Sequence, residues 1–133
     1  MVLTWFLDYI RDKMAVEAWF TAKGFTPKTV YRQFLATVKD PEYPCITLCI
    51  EPDTREIFAD IHELTLYVGV HSKRYRDVEE TINAIGNLLH AKPDADENIT
   101  IWKINVVGGS KIPQFDKTLG IWEAFLELDC SVG

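Results

Sequence analysis

Residues able to do chemistry are sparse in this chain, and their spacing limits what each can do. His62-Glu63 opens like half of a helical zinc-protease motif, in which two histidines four positions apart converge on one cation. No histidine stands at position 66, and the segment alternates as a strand does, so the pair cannot converge there. His62, His71 and His90 fall at a strand start, a strand end and a helix end, and read as surface histidines. Gly108-Gly109-Ser110-Lys111 has the composition of a phosphate-cradling loop, which must lead straight into a helix N-terminus. Ile112, Pro113 and Gln114 follow it and lead to another strand pattern. A hairpin loop of about ten residues is therefore expected, long enough to invite a binding role.

His71-Ser72-Lys73-Arg74-Tyr75-Arg76 is the basic cluster of the sequence, between a strand and a helix N-terminus. Lys73, Arg74 and Arg76 there suit either an anion or acidic partner or a solvated loop. On one strand Cys45 and Cys49 would stand roughly 13 Å apart, beyond the ~7 Å that a disulfide spans. Neither has a basic neighbour in sequence to activate a thiolate, so Cys45, Cys49 and Cys130 read as small buried hydrophobes. No serine or cysteine sits in a nucleophile elbow, and carboxylate spacing alone singles out no acid–base pair. The expectation is a chain with no catalytic residue, no cofactor and no metal.

The elements that would position these groups follow from periodicity. Leu3, Leu7, Ile10 and Met14 recur at helical steps, predicting one helix from about Leu3 to Lys23, with Thr4 as cap and Gly24 as stop. Trp5, Phe6, Trp19 and Phe20 widen its apolar surface beyond one stripe, so it is buried on two sides or meets another subunit. Thr29–Val38 suits a strand or a short helix, and Asp40–Pro44 a turn. Cys45–Glu51 and Glu63–His71 alternate as strands, joined by a polar loop over Pro52–Asp60. Arg76–His90 is a helix with Val78, Ile82, Ile85, Leu88 and Leu89 on one face, stopped by Pro93. After an acidic loop, Ile99–Val107 and Leu119–Val132 are strands. The last strand carries Trp122, Ala124, Leu126, Leu128, Cys130 and Val132 on one face and Glu123, Phe125, Glu127 and Asp129 on the other. The acidic side is either a solvated sheet face or, in a ring, a lumen wall that repels phosphates. The pattern predicts an α+β domain, with a four- to five-stranded, mainly antiparallel sheet and two helices on one face.

A length of 133 residues fits a single domain, 1–133, that buries roughly two-thirds of its unfolded surface without metal or disulfide staples. A formal charge of −6 argues against a general nucleic-acid binder, though not against a wall that DNA slides past. No run of ~18 apolar residues occurs, so no membrane span is expected. The N-terminus meets Asp8 and Arg11 too soon for a signal peptide, and reads as an amphipathic helix of a cytosolic protein.

The string Tyr43-Pro44-Cys45-Ile46-Thr47-Leu48, then Glu63 to Ser72 leading into the helix Val78–Leu89, then a closing strand pair, resembles the tail-terminator and tail-completion (head–tail joining) proteins of long-tailed bacteriophages. The resemblance covers roughly Tyr43 to Cys130 as an arrangement and a few short strings. It implies a non-enzymatic structural subunit of a ring of six copies that caps the tail tube and connects it to the head. Its partners would then be itself, the tube protein and a head-completion or connector protein. DNA would pass through without sequence-specific binding, and the protein would sit in the tail or neck of a virion assembled in host cytoplasm. Under this reading the interface residues are Trp5, Trp19 and Phe20 of the first helix, Asp53 and Glu56 of the first loop, and Lys73, Arg74 and Arg76. Lys111, Gln114 and Phe115 of the second loop join them, and Glu123, Glu127 and Asp129 face the lumen. The first helix is longer than the family pattern has there. The alternative reading is a small dimeric α+β enzyme or ligand-binding domain, with a pocket between the sheet and Arg74–Arg76.

Overall fold

In the computed structural model, which describes residues 2–52 and 61–133, the N-terminal apolar segment folds as two helices rather than one. α1 spans Val2–Ala15 and α2 spans Ala18–Ala22, with Glu17 extended between them. Phe6, Ile10 and Met14 form the fully buried stripe of α1, while Leu3 and Leu7 pack only at its margin. Beyond the break at Val16–Glu17, Phe20 of α2 is buried, 3% exposed. Thr4 lies inside α1 rather than capping it.

Gly24 closes α2 as its position suggests. With φ +95° it lets the Gly24 N–H reach Thr21 O and the Phe25 N–H reach Phe20 O, the paired bonds of a Schellman ending. The rings of Phe20 and Phe25, 6.2 Å apart, supply the apolar contact that accompanies it. Of Thr29–Val38, expected as a strand or a short helix, Val30–Tyr31 is strand β1 and Leu35–Thr37 is a 3-10 turn.

Among the described residues the sheet has six strands, one or two more than the sequence pattern suggests, in the order β1-β2-β3-β6-β5-β4. β2 is Cys45–Pro52, β3 His62–Ser72, β4 Asp94–Ala95, β5 Thr100–Asp116 and β6 Ile121–Val132. β1 runs parallel to β2 and every other pair is antiparallel, which makes the sheet mixed. The two extra strands are two-residue pieces, too short to show any alternation in sequence. β6 lies between β3 and β5 and is the most sheltered strand, with Ile121, Ala124, Leu126, Leu128, Cys130 and Val132 fully buried.

α3 (Tyr75–Leu89) lays Val78, Ile82, Ile85 and Leu89 on the inner face of β3, β5 and β6. It ends before Pro93 can stop it. Ala91 turns to φ +54° and donates its N–H to Ile104 O, while His90 Nδ1 accepts the Val106 N–H at 2.9 Å. The helix end is thus bonded to β5, and His90 serves as its acceptor. The α+β class and helices packed on the sheet follow the sequence reading, with three α-helices among the described residues where two were expected.

β5 departs furthest from expectation. The segment Gly108–Thr118 is not a ten-residue loop: β5 continues to Asp116, and the turn is Lys117–Gly120. Three register shifts against β6 absorb the glycines and proline, at Ile101/Lys103, Val106/Gly108 and Ser110/Gln114. Gly109 has φ +113°, and a Cβ there would meet Phe125 O at 2.3 Å, so no other residue fits without moving backbone. Asp116 closes the turn by accepting the Thr118 and Leu119 N–H groups.

Candidate functional site

The polar groups that alternation assigns to one face of the sheet form a connected row across β2, β3 and β6. Cys45 pairs with His71, and His71 with Glu123, in adjacent strands. The His71 ring is 1% exposed and uses both nitrogens: Nδ1 lies 2.7 Å from Glu123 Oε2, and Nε2 lies 2.9 Å from Thr47 Oγ1. The carboxylate can only accept, so Nδ1 carries a proton and fixes the ring's orientation. His71 is therefore a core histidine with both nitrogens satisfied, not the surface residue its strand-end position suggests.

Hydroxyl, imidazole and carboxylate in line are the parts of a nucleophile–base–orienter relay. Access decides against that use in this conformation. Thr47 is 5% exposed, and the Phe125 ring stands edge-on to His71 with centroids 5.7 Å apart. The space holding the Thr47–His71 bond exists because residue 69 is glycine: a Cβ there would lie 2.5 Å from Thr47 Oγ1 and 2.9 Å from both His71 Nε2 and Phe125 Cε1. A substrate carbonyl has no approach to the hydroxyl. The row is a buried polar brace that joins three strands.

Further along the same face, Glu63 accepts from Ser131 Oγ at 2.6 Å, and Lys103 Nζ reaches Asp129 at 3.0 Å and Glu63 at 3.5 Å. Tyr67 donates to Glu51 at 2.8 Å. Of the three carboxylates expected to line a lumen, Glu123 is bonded to His71 and Asp129 is paired with Lys103. Glu127 makes no ion pair among the described residues. Of the three, a cation of the chain itself therefore meets Asp129.

The cysteines are free and buried. Burial pushes the Cys45 and Cys130 thiols from 9.0 up to about 12, with the Glu123 and Asp129 charges adding to it respectively, and burial raises Cys49 as well. None is a poised thiolate. Among the described residues no cluster of three His, Cys, Asp or Glu side chains could hold a metal ion, and no helix is long and apolar enough to cross a membrane.

The remaining expected site residues scatter. Trp5 packs against the core margin, and Trp19 is 38% exposed with Lys23 Nζ 5.5 Å from its ring centre. Phe20 is inside the core and offers no contact surface. Asp53 and Glu56 lie outside the described residues, as does most of the predicted Pro52–Asp60 loop. Lys111 stands exposed on the bulge of β5, and Gln114 and Phe115 are strand residues rather than loop residues.

Two grooves open at the end of the sheet where β3 and β5 finish. One, about 300 Å³, is lined by Tyr43, Pro44, Ser72, Lys73, Arg74 and Asp77, where a ligand-binding domain would have to take its ligand. The other, about 390 Å³, is lined by Gln114, Phe115, Asp116, Lys117, Glu123 and Phe125. Between them stand three rings that no sequence pattern grouped: Trp122 lies 5.1 Å from Tyr75 and 5.0 Å from Phe115, centre to centre. Their sequence separation hid them, since Tyr75 opens α3 while Phe115 and Trp122 face each other across the β5–β6 hairpin. No family model matches the chain, and no curated protein matches it.

Proposed function

We propose that this chain is a structural subunit of a ring of the phage tail-terminator or head–tail joining kind, which caps a tail tube and connects it to the head. The observation that carries an assembly role is where apolar surface is left uncovered. Most of the exposed large apolar side chains among the described residues belong to the β5–β6 hairpin: Trp102, Val107, Ile112, Phe115, Leu119 and Phe125. A domain that leaves apolar residues exposed along one hairpin has a partner for that hairpin.

The more specific reading draws on the Tyr43–Leu48 string, the Glu63–Ser72 strand running into α3, and the closing hairpin. The buried polar row supports it by giving the sheet stiffness without a reactive group. Phage identity rests on the resemblance in sequence, and the partners follow from it: copies of this chain, a tube protein and a connector.

Co-expression with a tail-tube protein and a connector protein from the same genome tests this directly. Rings in negative stain, and tubes of fixed length only when this chain is present, are the expected result. Tubes of unchanged length distribution in its absence, with no complex formed, would sink the reading.

A further inference from the structure

The two ends of the sheet differ in charge, and each carries an aromatic anchor. At the end where β3 finishes, the Tyr75, Trp122 and Phe115 rings form a continuous row, with Tyr75 40% and Phe115 49% exposed. Lys73, Arg74 and Lys117 surround it, and none of the three is in an ion pair among the described residues. Arg76 touches Glu80 only at 3.4 Å with its side chain 86% exposed. The carboxylates there, Asp77, Asp116 and Glu123, are half-buried; Asp116 is occupied in capping the β5–β6 turn and Glu123 is bonded to His71.

The opposite end lies the length of β6 away, from Trp122 to Val132, roughly 33 Å. Val132 is level with Ile101, so the half-exposed Trp102 stands at this end beside β4. Asp96 and Glu97 are exposed between β4 and β5, with Asp96 accepting the Asn98 and Ile99 N–H groups, and Glu51 is exposed at the end of β2, accepting from Tyr67. Asp94 is already held by Tyr9 and Lys13, and Lys92 is the nearby exposed cation.

We infer that copies of this chain associate head to tail, the basic aromatic end of one seating on the acidic, Trp102-bearing end of the next. The inference rests on the ring-subunit reading for why copies associate, and it names the surfaces they use. Charge complementarity fixes the partner: cations around aromatic rings on one end face carboxylates around an aromatic ring on the other. Desolvated aromatic and guanidinium groups are the side chains that carry most interface energy. Because the two patches are different surfaces, the contact is heterologous and propagates, closing into a ring or running on as a chain.

Sedimentation velocity of the full chain over a range of concentrations, at low and high salt, reads the association. Reversing one end with Lys73→Glu plus Arg74→Glu, or the other with Asp96→Lys plus Glu97→Lys, should weaken it about tenfold or more. All four positions are exposed, and circular dichroism confirms that each variant folds. Mixing the two variants should restore association, because each reversed end then meets an oppositely reversed one. A wild type that stays monomeric at every concentration in low salt overturns the inference, and so does association indifferent to either reversal or unrescued by mixing. Negative stain separates this from the ring reading. Open chains abolished by the reversals keep the contact and sink the ring. Rings that survive both reversals keep the ring and sink the contact.

Discussion

At the scale of single residues, Gly69 is a constraint that side chains alone impose. Its missing side chain makes room for the Thr47–His71 bond, with Phe125 closing over it. Gly69→Ala should cost about 1–3 kcal/mol in chemical denaturation, since three neighbours must shift together. Thr47→Ala in the same background should recover part of that loss by removing the nearest clash. The cysteines give a second prediction, with its sign fixed by burial. The folded Cys45 and Cys130 thiols, raised to about 12, favour the neutral form, so their contribution is intact below the ordinary 9.0 and is lost as pH rises through about 12. Stability should fall across that alkaline window, and a thiol reagent at pH 8 should modify these two only after unfolding. Fast labelling of the native protein at either position would contradict this. Alternation placed His71 and Thr47 on the polar side of their strands, which is right. It could not show that this side is covered there, because the cover comes from Phe125 and Glu123, more than fifty positions away.

Among the elements, α1 and β5 show how local signals fare when tertiary packing competes with them. Periodicity found a helical N-terminus but not its break, because alanine, valine and glutamate at positions 15–17 carry no breaker. Ile10→Ala, within the fully buried stripe of α1, should cost about 2–5 kcal/mol. Val16→Ser, 79% exposed beside the break, should change stability by no more than about 0.5 kcal/mol. Equal effects at the two sites would mean that α1 is not the packed element described. In β5, glycine and proline read as loop signals, yet there they let a strand pass three register shifts without leaving its partner. Residue type announced an irregularity correctly, but whether it becomes a loop or a bulge depends on β6 lying alongside. The same bulges interrupt an edge that would otherwise invite uncontrolled pairing.

The molecule as a whole is organised around β3 and β6. The α+β class, helices packed on a sheet and the main strands were legible because alternation and helical stripes are local properties. The strand order was not, since nothing near residue 121 specifies that β6 inserts between β3 and β5. Amide hydrogen exchange should find the slowest protons in β3 and β6, whose backbones are flanked on both sides, and faster exchange in β1 and β4. Slow exchange confined to α1 would be inconsistent with this architecture.

The β3–β6 pairing also has a consequence in time. It joins His62 to Val132 and Ser72 to Trp122, so the centre of the sheet closes only across a long intervening stretch that holds α3 and β5. Contacts this distant in sequence slow the search for the native state. During synthesis, the apolar faces of β3 and α3 must wait on the ribosome for a strand that has not yet emerged. Arrest of the nascent chain before residue 121 should therefore leave a protease-sensitive, chaperone-bound intermediate, and release past residue 132 should convert it to the folded form in one cooperative step.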